Sequence, residues 1–268
     1  HLTSFDSDGF TIGTNTSVNG NGNGIVTWCW KAGGSASSNS DGSVSSTVSA
    51  NTAAGFSIVQ YEGLSSGTQT VGHGLNSAPE YIIYKNRDDT SQWVIYSEPV
   101  GTSGFLMFTS TGGKNTSDVG GTFNSTAPTN SVFTVGTNNA VGGNGETIIA
   151  YCFHSVEGYS KIGTFQGNSN SSGTFVYLGF RPAWVLIKST SSSTNFCIFD
   201  NKRLGYNVDN NLMRIGAGST TTEQTDDDVD FLSNGLKFRR SSTNFNNSSH
   251  TYVYLAFAEA PFKFANAR

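Results

Sequence analysis

The residues best equipped for chemistry in this chain are four histidines, three cysteines and a handful of aspartates. His73 sits in a tight turn, Gly72-His73-Gly74, with glycine on both sides. Metal binding or proton transfer would need a second histidine, a paired cysteine or a carboxylate close by. The neighbouring sequence offers none, so His73 is expected to hydrogen-bond locally within its turn. His154 and His250 are equally isolated. The densest acidic run is Asp226-Asp227-Asp228, followed by Asp230, and Asp6-Ser7-Asp8-Gly9 resembles part of a calcium loop. Calcium takes roughly six to eight oxygens at set spacings, and neither run supplies the full pattern. The first reads as a solvated loop, with calcium as the lesser alternative. The second reads as a turn, because Asp8-Gly9 aligns with Asn234-Gly235.

Cys29, Cys152 and Cys197 are too few and too odd in number for a disulfide framework. Cys29 and Cys152 occupy equivalent positions in repeated strands whose third copy carries Ala256, so a small buried filler is expected there. Gly101-Thr102-Ser103-Gly104 and Gly142-Gly143-Asn144-Gly145 lack the Gly-Lys-Ser/Thr and the following helix of a phosphate loop. No Gly-x-Ser-x-Gly elbow occurs either. The expectation is therefore no enzyme, no catalytic residues, no metal site and no cofactor. Any ligand site is left unassigned.

The elements that position these residues are repeated. Ala78-Pro79-Glu80-Tyr81-Ile82-Ile83-Tyr84-Lys85 returns as Arg181-Pro182-Ala183-Trp184-Val185-Leu186-Ile187-Lys188, at a spacing of 103 positions from lysine to lysine. Proline is tolerated at the first position of a strand. The apolar run is too short for a buried helix and rich in β-formers, so it reads as a strand buried on both faces. A closing hairpin occurs three times. Its return strands are Ile25–Trp30, Ile148–Phe153 and Tyr252–Phe257. Alternation and bulk assign Val26/Trp28/Trp30, Ile149/Tyr151/Phe153 and Val253/Leu255/Phe257 to the core face. Leu212-Met213 is aligned with Leu106-Met107.

Strand signals about every ten residues, separated by Gly-rich turns, predict an all-β chain of tandem antiparallel β-sandwich modules. The expected divisions are a hairpin at 1–31 that completes or precedes a module, a linker at 32–53, module 1 at 54–156 and its repeat, module 2, at 157–268. The linker is small and polar, with room for a short strand at Ser43–Ser45 or Thr47–Ser49.

Charged residues make up only 13% of the chain, aromatics 12%, and the net charge is −4. Disordered chains usually lack aromatics and carry high net charge, so an ordered, turn-rich protein is expected. An isoelectric point near 5.5 and the lack of a basic cluster argue against nucleic acid as a partner. No apolar run reaches the roughly 18–20 residues of a membrane span, so no membrane insertion is expected. The chain starts at His1 within a repeat, which reads as a fragment or processed product.

Several segments together resemble a family of marine bacteriophage virion proteins. They are Trp28–Gly34, Gly55–Val59, Val71–Leu75 with Pro79 and Lys85-Asn86-Arg87, Ile149–Lys161, Gly179–Lys188 and the ending Ala256–Lys263 through Asn266-Ala267-Arg268. The resemblance covers nearly the whole chain. It implies a tail-fibre or adhesin fragment on the virion surface that displays loops and attaches to the host. The implied partners are other virion proteins and a host-surface glycan or receptor, with a homotrimer by fold-level analogy. It supplies no catalytic residues. The alternatives are a head-decoration protein, an extracellular carbohydrate-binding module with Tyr206 and Phe245 as exposed aromatics, and a depolymerase, which would need paired carboxylates in a groove.

Overall fold

A computed structural model describes residues 1–203, 207, 209–216 and 223–260. The chain divides into two compact units, residues 1–31 and 32–268. In the first, β1 (Leu2–Phe5) pairs antiparallel with β2 (Phe10–Ile12), and a one-turn helix, α1 (Thr16–Asn19), follows. Asn15 caps α1 by accepting from the Ser17 N–H. Asp6 fixes the β1–β2 turn, its carboxylate accepting from the Ser4 and Thr11 hydroxyls at 3.0 and 2.8 Å. The Ile25–Trp30 return strand is a correction: these residues belong to no strand, and β2 pairs with β1 instead.

The second unit begins with β3 (Ser37–Asn39) and β4 (Ser46–Asn51), where a linker was expected. This is a second correction. β4 pairs along its length with the next strand and buries Ser46 and Val48, so residues 37–51 belong to the fold. The elements that follow are β5 (Phe56–Glu62), β6 (Gln69–Gly72), β7 (Tyr81–Asn86), β8 (Val94–Ser97), β9 (Leu106–Met107), α2 (Val119–Phe123), β10 (Val132–Val135), α3 (Asn139–Gly142) and β11 (Thr147–Phe153). They build a seven-stranded sheet in the order β3-β4-β5-β11-β7-β8-β9 and a separate β10-β6 pair. The pair and the two short helices cover one face of the sheet, packing Phe133, Val135, Phe123 and Val141 onto Tyr61, Tyr84 and Tyr96.

The remaining strands are β12 (Ser160–Gln166), β13 (Phe175–Tyr177), β14 (Pro182–Ser189), β15 (Phe196–Asp200), β16 (Asp209–Ile215), β17 (Gln224–Leu232), β18 (Gly235–Phe238) and β19 (Thr251–Ala258). They form one eight-stranded sheet, β12-β19-β14-β15-β16-β17-β18-β13. Phe165 of the edge strand β12 stacks 5.1 Å from Phe238 of β18, across a second core around Val185, Ile187, Phe199 and Phe245.

The chain is all-β and sandwich-like, with antiparallel sheets. Both halves of the second unit run through one strand order, β5-β11-β7-β8-β9 in the first and β12-β19-β14-β15-β16 in the second. The β6–β10 pair likewise matches β13–β18. The expected strand match near Leu212 shifts by one residue, since Leu106 faces Ile95 and Met213 faces Ile198.

The interior face is a third correction. The sandwich cores receive Ile148/Ala150/Cys152 and Tyr252/Tyr254/Ala256, not the alternate set Ile149/Tyr151/Phe153 and Val253/Leu255/Phe257. In β11 the small Ala150 and Cys152 suit the core because Tyr61, Tyr84 and Phe133 fill the space around them. The alternate set lies on the opposite face, where Phe153 of the first half meets Phe257 of the second at 6.0 Å and Phe108 stacks on Phe196 at 4.8 Å. That face is buried in the second half, with Leu186 2% and Leu255 2% exposed.

Candidate functional site

Where the halves join, β11 runs into β12 through a tight turn, Val156–Ser160. Ser160 N–H donates to the Val156 carbonyl at 2.9 Å, and Gly158 takes a left-handed φ of 74° that a side chain would strain. A second glycine, Gly179, sits at φ 87° just after β13, and the Leu178 and Gly179 N–H groups both donate to the Asn234 carbonyl. Beside these turns the first half presents the stretch before β7 and the helical turn Glu98–Val100 that follows β8. Together the four segments line an open cleft of about 920 Å³, within the usual range of about 300–1,000 Å³ for ligand sites.

A chain of hydrogen bonds fixes the cleft floor. Glu80 N–H donates to the Phe153 carbonyl at 2.8 Å, and Glu98 N–H donates to the Glu80 carbonyl at 2.7 Å. The Ser155 hydroxyl donates to the Glu80 carboxylate and accepts from the Ile162 N–H at 3.0 Å. The Ser155 hydroxyl therefore ties the Glu80 carboxylate of the first half to β12 of the second. Glu98 and Glu157 also line the cleft and are exposed. On the far wall Tyr177 is 59% exposed, one of the largest exposed apolar surfaces among the described residues. Lys161 steadies it, with Nζ donating to the Tyr177 carbonyl at 3.0 Å and lying 5.1 Å from the ring centre. The wall thus offers an aromatic face, one cation and three carboxylates to a ligand.

The residues singled out from sequence lie elsewhere. His73 is buried: its Nδ1 accepts from the Leu75 N–H at 3.1 Å and its Nε2 stands 3.1 Å from the Thr129 carbonyl. That pattern calls for the Nε2–H tautomer, a local turn role. Burial pulls its pKa below the ordinary histidine value. His154 Nδ1 lies 2.9 Å from the Ser155 carbonyl, next to the cleft. The solvated-loop reading of Asp226-Asp227-Asp228 is overturned. The run lies in β17, and the Asp228 carboxylate is buried against Arg240 at 2.6 Å. Among the described residues, no group of three or more His, Cys, Asp or Glu side chains is placed to hold a metal.

Cys152 and Cys197 are buried, and burial pushes both thiols up, Cys197 to about 12. Cys29 is exposed, against expectation, because its segment joins no sheet. Trp28 and Trp30 are half-buried. Phe245 is not an exposed aromatic: it is fully buried between Phe199 and Phe238, at 5.6 and 5.3 Å. Tyr206 lies outside the described residues.

Comparison with protein families places this geometry in a group. A model described as a domain of unknown function, DUF7483, matches residues 1–261. The chain belongs to the DUF7483 family. Comparison with curated proteins and with solved structures finds no match. In this DUF7483 chain, sequence reasoning missed Glu80, Ser155, Lys161 and Tyr177. They lie in separate segments, and only the paired strands bring them together. One signal was available: the Phe175-Val176-Tyr177 alternation sits on an edge strand, which leaves Phe175 and Tyr177 outward.

Proposed function

We propose that this chain is the surface-displayed part of a phage virion protein, a tail fibre or adhesin, which holds a host-surface glycan in the cleft between its two halves. The observation that carries the binding reading is the cleft itself, where the exposed Tyr177 shares the lining with Glu80, whose carboxylate the Ser155 hydroxyl holds, and with Glu98 and Glu157. Aromatic faces pack on the apolar side of sugar rings, and carboxylates accept hydrogen bonds from sugar hydroxyls. The virion reading rests on the sequence resemblance and on a loop-rich β scaffold of low charge. It makes the virion surface the site of action, with other virion proteins as neighbours.

The same cleft serves a free extracellular carbohydrate-binding module equally well. A depolymerase is favoured by one observation, that Glu80, Glu98 and Glu157 share the cleft. Hydrolysis of glycosidic bonds uses paired carboxylates. An array of bacterial surface polysaccharides probed with residues 1–268 tests the proposal. Retention of an intact polysaccharide by the wild-type chain, lost in Tyr177→Ala, is expected. Shortening of the bound polymer would favour the depolymerase, and failure to retain any polysaccharide would contradict glycan attachment.

A further inference from the structure

The first unit carries the features of a closing hairpin detached from its sandwich. Its sequence Gly13-Thr14-Asn15-Thr16-Ser17-Val18-Asn19-Gly20-Asn21-Gly22 aligns without gaps on Gly136-Thr137-Asn138-Asn139-Ala140-Val141-Gly142-Gly143-Asn144-Gly145. The local structures coincide. Asn15 caps the one-turn helix α1 through the Ser17 N–H as Asn138 caps α3 through the Ala140 N–H. Gly22 and Gly145 share a left-handed φ, 78° and 70°. Continuing the alignment matches Phe10 to Phe133, Ile25 to Ile148, Thr27 to Ala150 and Cys29 to Cys152.

Burial separates the two copies. Phe133, Val141, Ile148, Ala150 and Cys152 are all 0% exposed, whereas Phe10 is 36% and Ile25 51% exposed, and Thr27 and Cys29 are exposed. In the complete half, β11 is flanked by β5 and β7 on its two edges. Residues 25–30 belong to no sheet. Exposed apolar groups in a pattern that is fully buried in a sister copy mark a surface made to be covered.

We propose that residues 10–30 are the core-closing hairpin of a third sandwich of this kind. Its occupant is a strand block equivalent to β4 through β9, carried on polypeptide outside residues 1–268. A second copy of residues 32–268 has no such block to spare. Its β5 and β7 already flank β11, and its β12 and β14 already flank β19. The hairpin therefore links one sandwich to the next in a string of alike modules.

The test fuses a further copy of residues 32–123 directly ahead of His1. By the alignment this places the block where residues 32–123 stand relative to β10. The added block holds no cysteine, so Cys29, Cys152 and Cys197 are the only thiols of the fused chain. In residues 1–268, one thiol is expected to react with a disulfide reagent under native conditions, and Cys29→Ser is expected to abolish that reaction. In the fused chain the expected count is zero, with slowed amide exchange over residues 25–30. Continued reaction of Cys29 at an unchanged rate, or an added block that remains unprotected in exchange, would overturn the proposal. Protection of Cys29 in the unfused chain that grows with protein concentration would overturn it in favour of a second copy.

Discussion

Lys85 and Lys188 occupy the same position in two copies of one strand, and their surroundings differ in a way that explains the asymmetry of the protein. Each reaches across the hairpin that follows its strand. Lys85 Nζ donates to the Ser91 carbonyl at 3.0 Å, and Lys188 Nζ donates to the Thr194 carbonyl, its counterpart. Lys85 completes its set with the Asn86 and Asp89 carbonyls of its own half-exposed loop. Lys188 instead donates to the Thr111 carbonyl of the other half at 2.8 Å, lies 5.2 Å from the Phe196 ring centre and is only 1% exposed. One duplicated hairpin staple has thus become a clasp between halves. Burial lowers the Lys188 pKa to about 8.

The cores diverge just as locally. In chain order α2 of the first half stands where β17 bridges β16 to β18 in the second, so one half has two sheets and the other has one continuous sheet. After the equivalent strands β6 and β13, His73 stands where the second half has Leu178. Gly74 and Gly179 follow them at φ 69° and 87°.

The largest difference should appear on removing the two lysines. Lys188→Ala leaves buried carbonyls of both halves without a charged donor and is expected to cost about 2 kcal/mol. Lys85→Ala, whose loop carbonyls can turn to water, is expected to cost under about 1 kcal/mol. Urea unfolding of both variants measures the gap, and equal losses would remove the clasp.

A pH series sharpens the same comparison. The folded protein holds Lys188 at about 8, below the ordinary lysine value, so the unfolded chain binds more protons above that point. Stability from this group should rise between about pH 8 and 10, where the buried tyrosines remain protonated. Lys188→Met should lose that rise, and Lys85→Met should keep it.

His73→Leu, which copies the second half into the first, has a smaller expected effect of about 1 kcal/mol from the lost bond to Thr129. Because burial lowers the His73 pKa, the wild type should lose stability as pH falls below about 6.5, where the unfolded chain takes the proton first. The variant should show a flatter acid limb in thermal melts recorded from pH 7 to pH 5.

Much of this architecture could be read from residue types. Pro79 and Pro182, the apolar runs behind them and the lysines that end them marked equivalent strands, and pairing puts both beside the last strand of their half. Facing was not legible. Ile149, Tyr151 and Phe153 have the bulk of a core face, yet Ile149 and Tyr151 are only half-buried on the outer face, while the inner face takes Ile148, Ala150 and Cys152, so bulk and alternation do not tell inside from outside. The stretch around Val48 allowed only a short strand at Thr47–Ser49 from its sequence, and its place in the core was not legible because Ser46 buries its hydroxyl by donating to the Gly72 carbonyl at 2.8 Å, a partner remote in sequence. The cleft was hidden for the same reason. Glu80, Ser155 and Tyr177 are unremarkable one at a time, and their meeting depends on how the halves pack.

The central claim is that the junction of two alike halves is a glycan-binding cleft, and Tyr177 probes it most directly. Tyr177 is 59% exposed, so Tyr177→Ala should change folding stability by less than about 0.5 kcal/mol. Calorimetric titration with the polysaccharide that the wild-type chain retains should show affinity at least about tenfold weaker for Tyr177→Ala, matching the worth of one aromatic face. Equal affinity in the two proteins, with melting temperatures unchanged, would contradict the account.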